Sequence, residues 1–465
     1  MQNIMDNIVF LLLIAVLSLS SGCATLPNVS TVIDEVPDAR RRYQIVSSQG
    51  LLSPQKSQAI MERMKNSVDP TDLLERHLAV MESITESPLT KGNKVTLLAD
   101  GQDTYAAMFK AIDNARKHIN LETYIIEDDA VGSKFSDLLL QKQAQGVQVR
   151  LIYDSIGSIN TPASFFQRLS DSGIEVVEFN PINLLKARKE WGLGLTHRDH
   201  RKILIVDGKS AIIGGINISK VYSSGPLKRK ANEKAPIHWR DTDVQIEGPA
   251  VAEFQKLFLA TWLKQNGPLY SKQNYFPALK EAGNALVRVV GSTPGQSNRI
   301  PFIVYVSVIA FAEHSIHITN SYFIPDDQII KALTDAAERG VDVKIILPGI
   351  SDSQLAFHAQ RSYYSNLLKS GVKIYEHSSS LLHAKTAVVD GIWATVGSTN
   401  MDYLSLLNND EVNAVILNHQ FAVEMENMFI KDLTNSRQIT WEEWKKSPYL
   451  PRVKGWIANV FARWL

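Results

Sequence analysis

The chain is expected to fold as an α/β protein of two like repeats, packed as a pseudo-twofold pair with a polar centre at their seam. Three observations point that way. A polar hairpin sequence occurs twice, strand-like and helix-like runs precede each copy in the same order, and the composition is that of an ordinary globular chain. With 465 residues, 45% hydrophobic and 21% charged, there is room for two or three domains with sizeable cores. The formal charge of +1 supplies no global field for a polyanion, so anion binding must be local and no nucleic-acid partner is expected.

The doubled stretch is His200 to Asn217, HRKILIVDGKSAIIGGIN, and His383 to Asn400, HAKTAVVDGIWATVGSTN. Counting from each histidine, His, Lys, Asp, Gly, Gly and Asn fall at offsets 0, 2, 7, 8, 14 and 17 in both copies. An apolar run (Ile203 to Val206; Thr386 to Val389) meets an Asp-Gly pair, and a second apolar run ends in small residues. That pattern reads as a β-hairpin. Side chains alternate along a strand, so His200 shares a face with Lys202, and His383 with Lys385. Asn217 and Asn400 return on the neighbouring segments. Asp207 and Asp390, at the turns, read as structural, shaping the hairpin through side-chain to backbone bonds.

The repeat extends upstream of the hairpins. His118 to Tyr124 answers Ser315 to Tyr322, each an alternating run that ends in Tyr and leads into a helix-like stretch. Gly146-Val-Gln-Val-Arg-Leu-Ile then matches Gly340-Val-Asp-Val-Lys-Ile-Ile, and Ser172-Gly-Ile-Glu-Val matches Ser370-Gly-Val-Lys-Ile. The spacing is 198 residues at Tyr124 and Tyr322 but 183 at the two histidines, so the first copy carries about fifteen extra residues within Asn180 to Asp199. Strands alternating with helices imply a sheet covered on both faces. A last matched element, Trp239 to Ile246 against Asn409 to Ile416, supplies one acid to each copy, Asp241 and Glu411. The first copy has a polar insert around Ser223 to Pro236, containing Lys228-Arg229-Lys230, which reads as a solvated loop or as a lip over the site.

The ends differ from the repeats. Ile8 to Leu19 is apolar apart from Ser18, too short to span a bilayer but of signal-sequence length. It runs into Ser20-Ser21-Gly22-Cys23 and resembles a bacterial lipoprotein signal, with Cys23 as the lipidation site. The leader MQNIMDN lacks Lys and Arg, and Ser20 stands where such signals usually have Leu; an uncleaved hydrophobic anchor is the other reading. Either attaches the chain to a membrane surface, and the first places it in the cell envelope facing the periplasm. Cys23 is the only cysteine, which excludes an internal disulfide and a cysteine-based metal site. From Cys23 to Asn93 the chain reads as a mostly helical lead-in, with helices near Ser57 to Asn66 and Thr71 to Glu86, packed on the first repeat. Beyond Trp441, Val453, Trp456, Ile457, Val460, Phe461 and Trp464 follow helical spacing among basic residues, which suits a helix on the core or one at a membrane interface. The division is thus 1–22 signal, 23–93 lead-in, 94–290 first repeat, 291–436 second repeat and 437–465 amphipathic tail.

Two histidines and two lysines at one seam suit phosphodiester exchange. One neutral imidazole attacks phosphorus and the other, protonated, gives its proton to the leaving alkoxide. Lys202 and Lys385 would hold the non-bridging oxygens, with Asn217 and Asn400 donating to them. Asp241 and Glu411 suit the task of accepting a ring N–H and fixing tautomer and orientation. The lysines supply the positive charge, so neither a metal nor another cofactor is invoked.

The doubled His-x-Lys-x4-Asp, followed by Gly-Gly/Ser-x-Asn, resembles the signature of the phospholipase D superfamily. Further stretches are similar to its bacterial cardiolipin synthase group: Leu121 to Asp128, Asp154-Ser-Ile-Gly-Ser, Tyr322-Phe-Ile-Pro-Asp-Asp, Ala337-Glu-Arg-Gly-Val and Leu381-Leu382-His383. The resemblance covers about Pro88 to the C-terminus. It implies a phospholipid substrate, phosphatidyl transfer from one phosphatidylglycerol to another with release of glycerol, a pseudo-dimer within one chain, and His200 as nucleophile with His383 as acid. A phospholipase D that uses water shares every one of these residues, and a nuclease of the superfamily is the third reading. Gly215 stands where Ser is common, and Glu411 follows Asn409-Asp410 rather than Asn-Phe.

Overall fold

The structure is a computed structural model, described here for residues 26–35, 44–69, 71–181, 197–223, 238–268, 274–295 and 299–446. In the first repeat Glu175–Phe179, Gln148–Asp154 and His118–Thr123 run parallel. Ile203–Val206, Ser210–Gly214, Asp243–Glu247 and Leu89–Leu98 then continue the sheet antiparallel. The second repeat has the same order: Lys373–His377, Asp342–Pro348 and Ser315–Asn320 parallel, then Lys385–Val389, Trp393–Gly397, Glu411–Leu417 and Ala285–Ser292 antiparallel. Leu89–Leu98 pairs with both Asp243–Glu247 and Ala285–Ser292, so the two sheets join along one strand.

The α/β expectation is met, and burial explains the layering. The outer face of the first sheet is covered by the helices Gly101–Asp113, Ala130–Ala144 and Ala163–Asp171, through Tyr105, Met108, Phe135, Leu139 and Leu169. Between the repeats lies a shared core. Ile203, Ile213 and Val244 of one half and Val388, Val396 and Ala414 of the other belong to a single cluster, closed by Phe254 and Phe421 of two long helices. The hairpin strands are therefore buried on both faces, which is why their apolar runs are nearly continuous.

Two expectations need correction. The lead-in helices form, as Pro54–Lys65 and Leu73–Ile84, but they cover the second repeat rather than the first. The cause is the helix Ile300–Phe311, IPFIVYVSVIAF, which is apolar on every side and needs an outer layer. Leu73, Leu74, Leu78 and Met81 share a cluster with its Phe302, Ile303 and Val306. Polar contacts fix the register: His77 Nδ1 lies 3.0 Å from Ser307 Oγ, and Trp393 Nε1 donates to His77 Nε2 at 3.3 Å. Second, the boundary at 290/291 falls inside the strand Ala285–Ser292, the counterpart of Leu89–Leu98. The repeats are better divided before Ala285, and the first begins at Leu89, because each sheet needs that strand to pair its last edge.

At the C-terminal end Trp441–Lys446 is helical, and Trp444 is buried with its Nε1 donating to Ser365 Oγ at 2.9 Å. The signal segment, Cys23, most of the extra residues before His200 (182–196), the Lys228-Arg229-Lys230 insert and the tail from 447 lie outside the described residues. Among the described residues no helix is long and apolar enough to cross a membrane.

Candidate active site

Each hairpin turns through two residues in the left-handed region, Asp207 (φ 53°) with Gly208 (φ 62°) and Asp390 (φ 49°) with Gly391 (φ 61°). Asp and Gly are the residues that adopt it at low cost. The turn carboxylates do something other than brace their own hairpins. Asp207 accepts backbone N–H groups of Arg116, Lys117 and His118, and Asp390 those of Glu313, His314 and Ser315. Each thus clamps its hairpin to the start of the neighbouring parallel strand, where those donors have no ladder partner.

At the other end of the hairpins the repeats meet. Leu381–Leu382 pairs in parallel with Trp239–Arg240, and Asp199 bridges Asp410 in the same sense. The backbone N–H of His383 donates to the Arg240 carbonyl at 2.7 Å, and that of His200 to the Asp410 carbonyl at 2.9 Å. Each histidine therefore lies beside the acid-bearing strand of the other repeat. His200 Nδ1 is 3.0 Å from Glu411 Oε1, and His383 Nδ1 is 2.7 Å from Asp241 Oδ2. The acids are crossed between repeats. Because each Nδ1–H is committed to a carboxylate, Nε2 is the ring nitrogen available for chemistry.

The histidines, with Asn217 and Asn400, line a cavity of about 500 Å³ that also takes in Tyr124 and Tyr322. Those two tyrosines end the matched strands and stand edge-on to His200 and His383, with ring centroids 5.2 and 6.2 Å away. The lysines are not among the lining residues; they sit behind the imidazoles, 2% and 0% exposed. Lys202 donates to the His200 carbonyl, and Lys385 to the His383 carbonyl and to Ser321 Oγ at 2.9 Å. The asparagines are tied too: Asn217 Nδ2 donates to Tyr222 Oη at 3.1 Å, and Asn400 Oδ1 accepts from Ser321 Oγ at 2.8 Å.

Burial sets the electrostatics. It pushes the Lys202 ammonium down to about 7, against the pull of Glu411, and lowers Lys385 as well. It pushes His383 down to about 4, with Lys385 adding to the fall and Asp241 opposing it. His200 is also lowered by burial, with Glu411 opposing.

The halves differ in what lies beneath the histidines. Under His200 is a fully buried ionic cluster: the Arg201 guanidinium lies 3.7 Å from Glu122 and 3.8 Å from Asp410, with Asp199 alongside. The corresponding residues of the second repeat are Thr319, Leu382 and Ala384 opposite Glu122, Asp199 and Arg201. Sequence reading missed this cluster, although Asp199, Arg201 and Asp410 directly flank His200 and Glu411. It also missed Ser398, whose hydroxyl donates to Glu411, and the Tyr222 hydroxyl 3.4 Å from His383 Nδ1.

An α/β fold of two matched repeats, with paired His-Lys hairpins closed by crossed acids around one cavity, defines a centre for phosphoryl-group transfer. Comparison with known proteins agrees. The family described as "Cardiolipin synthase, PLD-like domain" matches residues 108–262 and 305–433. The cardiolipin synthase of Alkalihalophilus pseudofirmus is 35% identical over 370 residues, 79% of this chain and 71% of that protein. That of Halalkalibacterium halodurans is 35% identical over 376 residues, 80% and 72%. Among solved structures, the phosphatidylserine synthase of Haemophilus influenzae superposes with a TM-score of 0.58 at 16% identity, covering 84% of this chain and 97% of that one, a likeness of fold. The chain belongs to the cardiolipin synthase group of the phospholipase D superfamily and is an enzyme of its phosphatidyltransferase and phosphodiesterase class.

Proposed function

We propose that the chain joins two phosphatidylglycerol molecules into cardiolipin and releases glycerol, through a phosphohistidine. The observation that carries this reading is the crossed pair of imidazole–carboxylate contacts, which presents two Nε2 atoms to one cavity. One neutral Nε2 attacks phosphorus, and the phosphorus–oxygen bond to the departing glycerol breaks. The other imidazolium gives its proton to that oxygen. The same ring, now neutral, then takes the proton of a hydroxyl on the second phosphatidylglycerol, whose oxygen displaces the histidine. Glu411 and Asp241 hold the rings. Asn217 and Asn400 donate to the non-bridging oxygens through their amide N–H groups, and Lys202 and Lys385, behind the imidazoles, add positive charge at short range. An acid–base pair of this kind contributes about 10²–10⁴-fold. Attachment at a membrane surface through Cys23, on the periplasmic side of the envelope, is part of the same proposal and rests on the apolar run before that residue.

The resemblance makes His200 the nucleophile. A second reading reverses the pair and has an observation in its favour: His383, lowered to about 4 by burial and by Lys385, is the ring that holds a proton less readily. In that reading His383 attacks and His200 is the acid.

Purified protein incubated with phosphatidylglycerol is expected to yield cardiolipin and glycerol. Phosphatidic acid as sole product would replace this reading with the hydrolase and leave the reaction class intact. With a nitrophenyl diester, which needs no acid for its leaving group, the variant lacking only the acid releases nitrophenol and accumulates an adduct on the other histidine. Mapping that adduct in His200→Ala and His383→Ala decides the assignment.

A further inference from the structure

The pseudo-twofold relation breaks just after the two asparagines. Two and five residues beyond Asn217 stand Ser219 and Tyr222; two and five beyond Asn400 stand Asp402 and Ser405. In the first half the Tyr222 ring fills the space: it is 1% exposed, packs on Trp239 with centroids 5.3 Å apart, and its hydroxyl accepts from Asn217. At the matching sequence position the second half has a serine, with no ring. The backbone there makes a π-turn, Leu404–Asn408, closed by Asn409 N–H donating to the Leu404 carbonyl at 2.9 Å. Such turns recur at functional sites because they push side chains out of helical register. This one brings Asp402, Ser405 and Asn409 to the cavity wall.

The chemistry of that wall is specific. Ser405 is 1% exposed with its side chain against the Asp402 carboxylate, and the buried Asn409 Oδ1 has no hydrogen-bond partner among the described residues. Such an atom costs free energy unless a ligand satisfies it. Asp402, 4% exposed, accepts the Ser405 N–H at 2.7 Å through one oxygen. Across the cavity Asp352 accepts from the Tyr322 hydroxyl at 2.7 Å. In the first half the buried Asp154 is ion-paired with Arg198, whereas in the second half Pro348 and Leu381 occupy the positions corresponding to Asp154 and Arg198. The second half of the cavity is thus rich in oxygen acceptors, and its residues include no counterpart of that arginine. A phosphate would be repelled there, and a hydrocarbon would leave the polar atoms unsatisfied. Hydroxyl groups fit.

We propose that this open pocket of the second repeat is a polyol subsite, in which Asp402, Ser405 and Asn409 hold the spare hydroxyls of a glycerol-like alcohol while another of its hydroxyls reacts at phosphorus. The inference rests on the transfer reading above and sharpens it, because water makes no use of such a site. Burial raises the Asp402 carboxyl to about 7, so near neutrality it can donate to a hydroxyl oxygen as well as accept from a hydroxyl. Sites built to bond a hydroxyl discriminate strongly against analogues that lack it.

The test uses the full chain, a nitrophenyl phosphodiester as donor, and glycerol and ethanol competing as acceptors. Nitrophenol reports formation of the phosphohistidine; the ratio of glycerol to ethanol product reports the subsite, whatever the total turnover. The wild type is expected to favour glycerol. Ser405→Tyr, which restores the side chain that closes the other half, is expected to lower the ratio at least ten-fold. Asp402→Asn, nearly unchanged in volume, is expected to lower it several-fold and must do so if Ser405→Tyr fails to fold. An unchanged ratio in a folded Ser405→Tyr, or no preference for glycerol in the wild type, overturns the subsite while nitrophenol release leaves the reaction class standing. Absence of nitrophenol from the wild type overturns both. If choline outcompetes glycerol and loses that advantage in Asp402→Asn, the pocket reads a cation and the polyol proposal falls.

Discussion

Glu411 accepts the Nδ1–H of His200 at 3.0 Å, although the two residues belong to different repeats and lie 211 positions apart. The contact fixes the tautomer that presents Nε2 to the cavity, and its charge opposes the lowering of the His200 pKa by burial. Glu411→Gln removes the charge and can present an N–H where the ring needs an acceptor. We predict a fall in turnover of about 10²–10⁴-fold, together with a His200 pKa lower than in the wild type. Nuclear magnetic resonance titration of the ring would measure the second effect. A His200 titration unaltered by Glu411→Gln, accompanied by a shift at His383, would show that the acids are not crossed.

Gly215 and Ser398 occupy matching positions, but their neighbours treat them differently. A Cβ at Gly215 would collide with the Asp241 carboxylate, which instead takes the Thr242 N–H at 2.8 Å. In the other repeat the Ser398 hydroxyl donates to Glu411 and accepts the Val412 N–H at 3.0 Å. Gly215→Ala should displace Asp241 from His383, destabilise the fold by about 1–3 kcal/mol, and reduce turnover more than Ser398→Ala does. Steady-state rates and urea melts of the two variants check this, and equal loss in both would contradict it.

His77 links the lead-in helix to the second repeat, between Ser307 and Trp393. Burial, with Arg288 adding to it, pushes its pKa down to about 3, so the folded chain keeps this ring neutral while the unfolded chain protonates it near the ordinary histidine value of about 6.5. The sign follows from linkage. Between these values the unfolded state binds more protons, so stability is lost as pH falls from 6.5 towards 3, by up to about 1.4 kcal/mol per pH unit. Thermal melts of the wild type are expected to steepen in their pH dependence below 6.5, and His77→Gln should be flatter over that range. Parallel curves for the two proteins would remove His77 from the account.

What the sequence determined by itself was local in kind. Alternation puts His and Lys on one face, Asp-Gly supplies two residues tolerant of left-handed backbone, and the order of strands and helices repeats, so the hairpins and sheet class were legible from short spacings. What only the tertiary structure decided depends on surfaces meeting over long separations. Nothing within the 41 residues from His200 to Asp241 shows that this acid will serve His383, because the choice is made when Trp239–Arg240 pairs with Leu381–Leu382. The lead-in covers the second repeat because Ile300–Phe311 is apolar all round, a demand that appears only once that helix is seated on its sheet. Tyr222 and Ser405 look unremarked in a list of residues, yet one fills its half of the seam and the other leaves it open, since the volume available to a side chain is set by what packs around it from elsewhere in the chain.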